Sequence, residues 1–207
     1  MAGESARVEA PTSARRLRRG LTLALVALAL ALLLRAFVLQ AFWIPTASME
    51  PTLVPGDRVL VSKLAPRFGG VHRGDVVVFE DPRTEPEPIG NPLSTFLRWA
   101  LGGLGVAQPA GQDFIKRVIA LPGESWEMRR GVVYVDGRRL DEPYLDPTAD
   151  TRSFGPATVP PGRLFVLGDN RTRSGDSRFT QLGYVPRDKV MGRAVAVIWP
   201  PSRTGWL

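Results

Sequence analysis

Ser48 lies in Ile44-Pro45-Thr46-Ala47-Ser48-Met49-Glu50-Pro51-Thr52-Leu53, and what the rest of the chain lacks limits the chemistry open to it. There is one histidine, His72, no cysteine, and three lysines, Lys63, Lys116 and Lys189, among 27 basic residues. A serine hydroxyl becomes a nucleophile only with a base beside it. Arginine cannot be that base, because its guanidinium does not deprotonate in proteins. His72 could complete a Ser/His/Asp set in principle, but it precedes Arg73-Gly74-Asp75 and has the setting of an exposed turn. Lysine is the next candidate. Taken alone, a serine between prolines is an ordinary linker residue, held extended by Pro45 and Pro51.

Lys116 lies in Asp113-Phe114-Ile115-Lys116-Arg117-Val118-Ile119-Ala120-Leu121. Strand alternation puts Phe114, Lys116, Val118 and Ala120 on one face, with Ile115, Arg117, Ile119 and Leu121 on the other. An amine desolvated among such neighbours loses preference for its charged form, and the neutral amine can accept a proton. The plainer reading is a sheet-edge lysine that guards against aggregation. Lys63 is a rival, although Leu64-Ala65-Pro66 carries it away from a sheet, and Lys189 sits in a turn-like Pro186-Arg187-Asp188-Lys189. A third cluster, Gly168-Asp169-Asn170-Arg171-Thr172-Arg173-Ser174-Gly175-Asp176-Ser177-Arg178, follows an apolar run. It suits a solvated loop or the hydrogen-bonded wall of a site, in which Asp176 and Arg178 could pair and Ser174 could orient an amine. No grouping of His, Cys and carboxylate has metal-ligand spacing, so neither a metal nor another cofactor is expected.

The elements that must position these residues start with an anchor. Residues 1–19 form a basic N-terminus with Arg7, Arg15, Arg16, Arg18 and Arg19 against Glu4 and Glu9. The run from Leu21 to Leu34 is free of charge, and Ala36–Leu39 extends it past Arg35. A membrane helix needs about 20 mostly apolar residues, and the spacing predicts one over 20–41. Poor small-residue positions after the run weigh against a cleaved secretory signal. The flanking arginines place the N-terminus in the cytoplasm and the larger domain outside. The net charge of +7 then suits anionic lipid headgroups better than nucleic acid, which is not an expected partner.

Residues 42–200 are enough for one domain with a core of its own. Short apolar runs at Arg58–Val61, Asp75–Phe79, Phe114–Leu121, Val132–Val135, Arg163–Leu167 and Gly192–Trp199, with a turn at Asp136-Gly137, predict a mainly β, mostly antiparallel barrel or sandwich. Residues 81–112 interrupt this pattern as a variable insertion: a short covering helix, or a membrane-surface element bearing Phe96 and Trp99. Residues 201–207 are expected to be a loose tail.

Taken together and in order, the Ser48 segment after an anchor, Gly56–Lys63, Arg73–Phe79, Ile115–Glu124 and Gly168-Asp169-Asn170 through Asp176-Ser177-Arg178 resemble bacterial type I signal peptidase, the leader peptidase family. The resemblance spans most of the chain from Ser48 to Arg178. It implies the signal-peptidase fold and a single-pass cell-membrane protein with an extracytoplasmic catalytic domain. The implied activity is that of a serine endopeptidase that removes signal peptides from exported preproteins through a Ser48–Lys116 dyad. By the same resemblance Ser48 (through its backbone N–H) and Thr46 are the oxyanion donors. Thr46 stands where the family has a serine. Ser174 hydrogen-bonds the lysine amine, and Asp176 and Arg178 brace the site. Preproteins and membrane lipid are the implied partners, and a monomer is expected. A tethered β domain that binds exported chains without cutting them is the rival from another class.

Overall fold

In the computed structural model of the chain, residues 13–83, 113–145 and 150–207 are described, with side chains omitted at 13–15 and 32–37. The expectation for the insertion therefore falls, from residue 84 onward, outside the described residues. The chain divides into two compact units, residues 1–37 and 38–207.

The first unit carries one helix, α1, Ser13–Phe37. Leucine and alanine, both good helix formers, dominate it. Every side chain described from Arg16 to Ala31 is exposed. Among the described residues no helix is long and apolar enough to cross a membrane. The helix also stops earlier than its apolar run. Contrary to a membrane helix over 20–41, Leu39–Trp43 is strand β1 of the second unit, because its backbone pairs with that unit's next strand.

The second unit is built from antiparallel strands: β1, β2 (Arg58–Ser62), β3 (Val76–Glu80), β4 (Asp113–Ala120), β5 (Ser125–Arg129), β6 (Val132–Val135), β7 (Arg138–Arg139), β8 (Phe154–Thr158), β9 (Arg163–Leu167), β10 (Val185–Pro186), β11 (Val190–Trp199) and β12 (Gly205–Trp206). One sheet follows the order β1-β2-β11-β3-β4-β9-β10, with β12 paired to β11, and a second follows β7-β6-β5-β8. The mainly β, antiparallel expectation holds. The larger sheet's path has two ends, β1 and β10. Asp136-Gly137 makes the expected turn between β6 and β7, with both residues at positive φ. The C-terminal residues, expected to be loose, instead form β12, because Trp206 and Gly205 pair with Ala196 and Val197.

Three apolar clusters hold this unit together. Ile44, Met49, Leu53, Val59, Val61 and Ile115 belong to the first. Trp126, Met128, Val133, Val135, Phe165 and Leu167 join strands of both sheets in the second. Val77, Phe79, Val118, Leu164 and Val166 belong to the third. The alternation expected along β4 fails at its end. A register shift between Val118 and Ala120 places Ile119 and Ala120 in the same cluster, as an extra residue in one strand must.

Candidate active site

Ser48 is placed by its hydrophobic neighbours. Ala47–Met49 forms a 3-10 turn between the extended residues Thr46 and Glu50, closed by the Glu50 N–H on Ala47 O at 3.2 Å. The segment between the two prolines is therefore not extended throughout, contrary to what their restricted backbones imply. The turn forms because Met49 and Leu53 both bury completely, and the Leu53 N–H bonds Met49 O at 2.9 Å. Ser48 itself is buried, and its carbonyl accepts the Asn170 N–H at 3.1 Å.

Lys116 reaches the same place from β4, where Val77 of β3 pairs with it and its neighbour Arg117 pairs with Leu167 of β9. It is 3% exposed. Its Nζ stands 2.7 Å from Ser48 Oγ and 2.9 Å from Ile115 O. Burial lowers its pKa from 10.5 to about 8, while the carboxylates of Asp176 and Asp169 pull in the opposite direction. A lysine of ordinary basicity would be almost wholly protonated near neutral pH; this one has an appreciable neutral fraction.

The Thr46 Oγ1 hydroxyl lies 3.3 Å from Ser48 Oγ and on the exposed side. Asp176 and Arg178 pair as expected, through Nε–Oδ1 at 2.8 Å and Nη2–Oδ2 at 2.9 Å. Asp176 Oδ2 also accepts the Gly168 N–H at 3.1 Å. Ser174 is brought to the site but not to the expected bond: its buried Oγ makes no hydrogen bond among the described residues, and Lys116 Nζ bonds Ser48 and Ile115 instead. Ser174 packs against the Cα of Gly168, which also faces the Ser48 carbonyl, and a Cβ at position 168 would collide with both.

The other candidate bases are elsewhere. The His72 side chain is 64% exposed and faces Asp75, with Nδ1 and Oδ2 3.7 Å apart. Lys189 Nζ lies 3.5 Å from Glu80, and the Lys63 N–H bonds Val38 O.

Several residues of the site had given no signal of their own. Arg117, on the face of β4 opposite Lys116, grips Asp169 through two bonds of 2.9 and 2.6 Å. Thr52 donates to the same carboxylate at 2.5 Å. Arg178 also reaches Asp150 at 2.7 Å, and both Arg152 and Arg178 donate to Arg171 O. Short Asp-x-Arg spacings at 150–152 and 176–178 are visible in sequence; links spanning tens of residues are not.

A buried serine, a lysine of depressed basicity at proton-transfer distance and a braced glycine loop can support acyl transfer. The sequence profile of the family described as "Signal peptidase, peptidase S26" matches residues 17–199. The chain belongs to this signal peptidase family. Signal peptidase I of Mycobacterium tuberculosis is 40% identical to it over 234 residues, 98% of this chain and 80% of that one. Signal peptidase I of Leptolyngbya laminosa is 41% identical over 178 residues, 86% and 77% of the two chains. The crystal structure of a signal peptidase I from Enterococcus faecalis aligns at 31% identity and a TM-score of 0.41, over 59% of this chain and 95% of that one. The resemblance carried by the five sequence segments is thus that of a true family member, and the domain is a peptidase of that family.

Proposed function

We propose that this signal peptidase family member is a membrane-anchored serine endopeptidase that removes N-terminal signal peptides from exported preproteins. The observation that carries this reading is the 2.7 Å approach of Lys116 Nζ to Ser48 Oγ in a buried setting. Neutral Lys116 takes the serine proton as Oγ attacks the scissile carbonyl. The backbone N–H of Ser48 and the Thr46 hydroxyl stabilise the oxyanion, each donor contributing about 2.7–4 kcal/mol if it behaves as in a studied protease. Protonated Lys116 then donates to the leaving amine, and a water activated by the same amine releases the acyl-enzyme. Asp176 and Arg178 hold the loop after β9, and Ser174 supplies a hydroxyl that can turn toward the lysine ammonium once it forms. No metal or cofactor enters these steps.

The anchor is α1. Its leucines from Leu21 to Leu30 are 56–70% exposed, and a helix apolar on all sides needs an apolar solvent. The arginines before it favour a cytoplasmic N-terminus and an extracytoplasmic catalytic domain in the cell membrane. Lipid contact by the second unit is supported by one row of its larger sheet. Arg58 pairs with Trp43 on one side and Trp199 on the other, all three exposed, and aromatic and basic side chains suit the headgroup region. A monomer needs nothing further to complete the site.

The test is incubation of the detergent-solubilised full chain with a signal-bearing precursor, followed by N-terminal sequencing of the product. Cleavage after small residues, abolished by Ser48→Ala and by Lys116→Ala, is the expected result. Cleavage that survives either substitution refutes the dyad. Binding of the precursor with no cleavage by the unmodified chain points to the tethered binding domain.

A further inference from the structure

Glu142 and Tyr144 lie in the loop after β7 and take no part in the steps above, yet they join the two arms that hold the reactive pair. One arm is β4: Arg117, next to Lys116, has its guanidinium 3.8 Å above the Tyr144 ring. The other is the loop after β9: Arg171 donates through Nε to Gly168 O at 3.0 Å, and the backbone N–H of Asn170, the residue before Arg171, bonds Ser48 O. The Tyr144 hydroxyl donates to Glu142 Oε1 at 2.8 Å, and Glu142 accepts both Nη groups of Arg171. Arg117 and Asp169 close the circuit. The Arg171 and Glu142 side chains are only 2% and 6% exposed, so water cannot substitute cheaply for either partner. Burial, reinforced by Glu142, raises the Tyr144 pKa, so its hydroxyl stays a donor throughout the working range.

We propose that Glu142 and Tyr144 are positioning residues that clamp the strand carrying Lys116 to the loop holding the Ser48 carbonyl. The inference rests on the dyad reading above. A cation stacked on an aromatic ring and a charge-assisted pair are both stiff, directional contacts. When the clamp opens, Arg171 is left as a buried guanidinium without its carboxylate, and the 168–171 loop must shift toward water. Ser48 follows through its carbonyl, and a displacement of about 1 Å in a reacting group can cost roughly a hundredfold in rate. The charges that act on the lysine amine are those of Asp176 and Asp169, so neutralising Glu142 acts through geometry and hydration.

The experiment compares Glu142→Gln, Tyr144→Leu and Tyr144→Phe in the full detergent-solubilised chain, with a signal-bearing precursor peptide as substrate. Glu142→Gln and Tyr144→Leu should lower kcat about 10- to 100-fold, with KM within about twofold. The acid limb of the pH–rate profile should move upward from about 8, since water reaching the amine restores ordinary basicity. Tyr144→Phe keeps the stacked ring and should lose less than about tenfold. Arg129→Ala, which breaks an exposed pair with Glu127, should change nothing. A wild-type kcat, an effect confined to KM, or an acid limb left in place overturns the clamp even where thermal stability falls. If Tyr144→Leu does not fold, the isosteric Glu142→Gln decides. Ser48→Ala and Lys116→Met are run beside these: residual cleavage by either removes the dyad reading itself, whereas two dead controls with a fully active Glu142→Gln remove only the clamp.

Discussion

Replacing Lys116 with methionine should stabilise the protein near neutral pH while destroying its activity. The amine is 3% exposed, and burial lowers its pKa from 10.5 to about 8. A shift of 10.5 − 8 = 2.5 units corresponds to about 3 kcal/mol of folding free energy, at 1.36 kcal/mol per unit. A base whose folded pKa lies below its unfolded one resists protonation when folded. The cost is therefore fully present below pH 8, is relieved between pH 8 and 10.5, and is absent above. Methionine has a similar length and no charge, but leaves Ser48 Oγ and Ile115 O without the amine, at about 1 kcal/mol each. The variant should be more stable by about 1–2 kcal/mol at neutral pH and less stable by a similar amount near pH 10.5. Urea unfolding of both proteins in detergent, followed by fluorescence of the five tryptophans, reads this crossover. A stability difference that stays constant across the whole range would refute the burial-driven shift and with it the neutral base.

Three further outcomes follow from the site. The rate of precursor cleavage should fall about tenfold per unit below pH 8 and level off above it; His72→Ala should leave the profile unchanged, and a flat profile across the range argues against a titrating lysine. Thr46→Val keeps the branched shape but removes the hydroxyl, and should lower kcat about 100- to 1,000-fold with little change in KM; an unaltered kcat would exclude the hydroxyl from oxyanion stabilisation. Gly168→Ala should lower kcat even at temperatures well below its own melting temperature, because the added carbon meets the Ser48 carbonyl; steady-state kinetics beside thermal unfolding separate a displaced nucleophile from simple unfolding.

The β architecture was legible because short apolar runs such as Val76–Phe79 and Leu164–Leu167, bounded by turn residues, carry their own signal. For Ser48 and Lys116, composition only narrowed the field, since a chain with one histidine and no cysteine has few bases to offer a nucleophile; the choice of Lys116 over Lys63 came from the resemblance to signal peptidase. What escaped was tertiary. Nothing near Leu39 announces that the apolar run will leave a helix and pair with β2, because that choice is made by Arg58–Ser62. The bulge in β4 likewise depends on its partner β9. Glu142 and Asp150 look like surface acids in sequence, and only the approach of Arg171 and Arg178 makes them part of a buried network.

A Cβ on residue 168 would run into both the Ser48 carbonyl and the Ser174 side chain, where Gly168 has only a hydrogen. One of those two obstacles can be mutated away; the other is main chain and cannot. A genetic screen for revertants of Gly168→Ala should therefore recover the original glycine and no second-site suppressor at Ser174, since trimming that serine relieves only half of the collision.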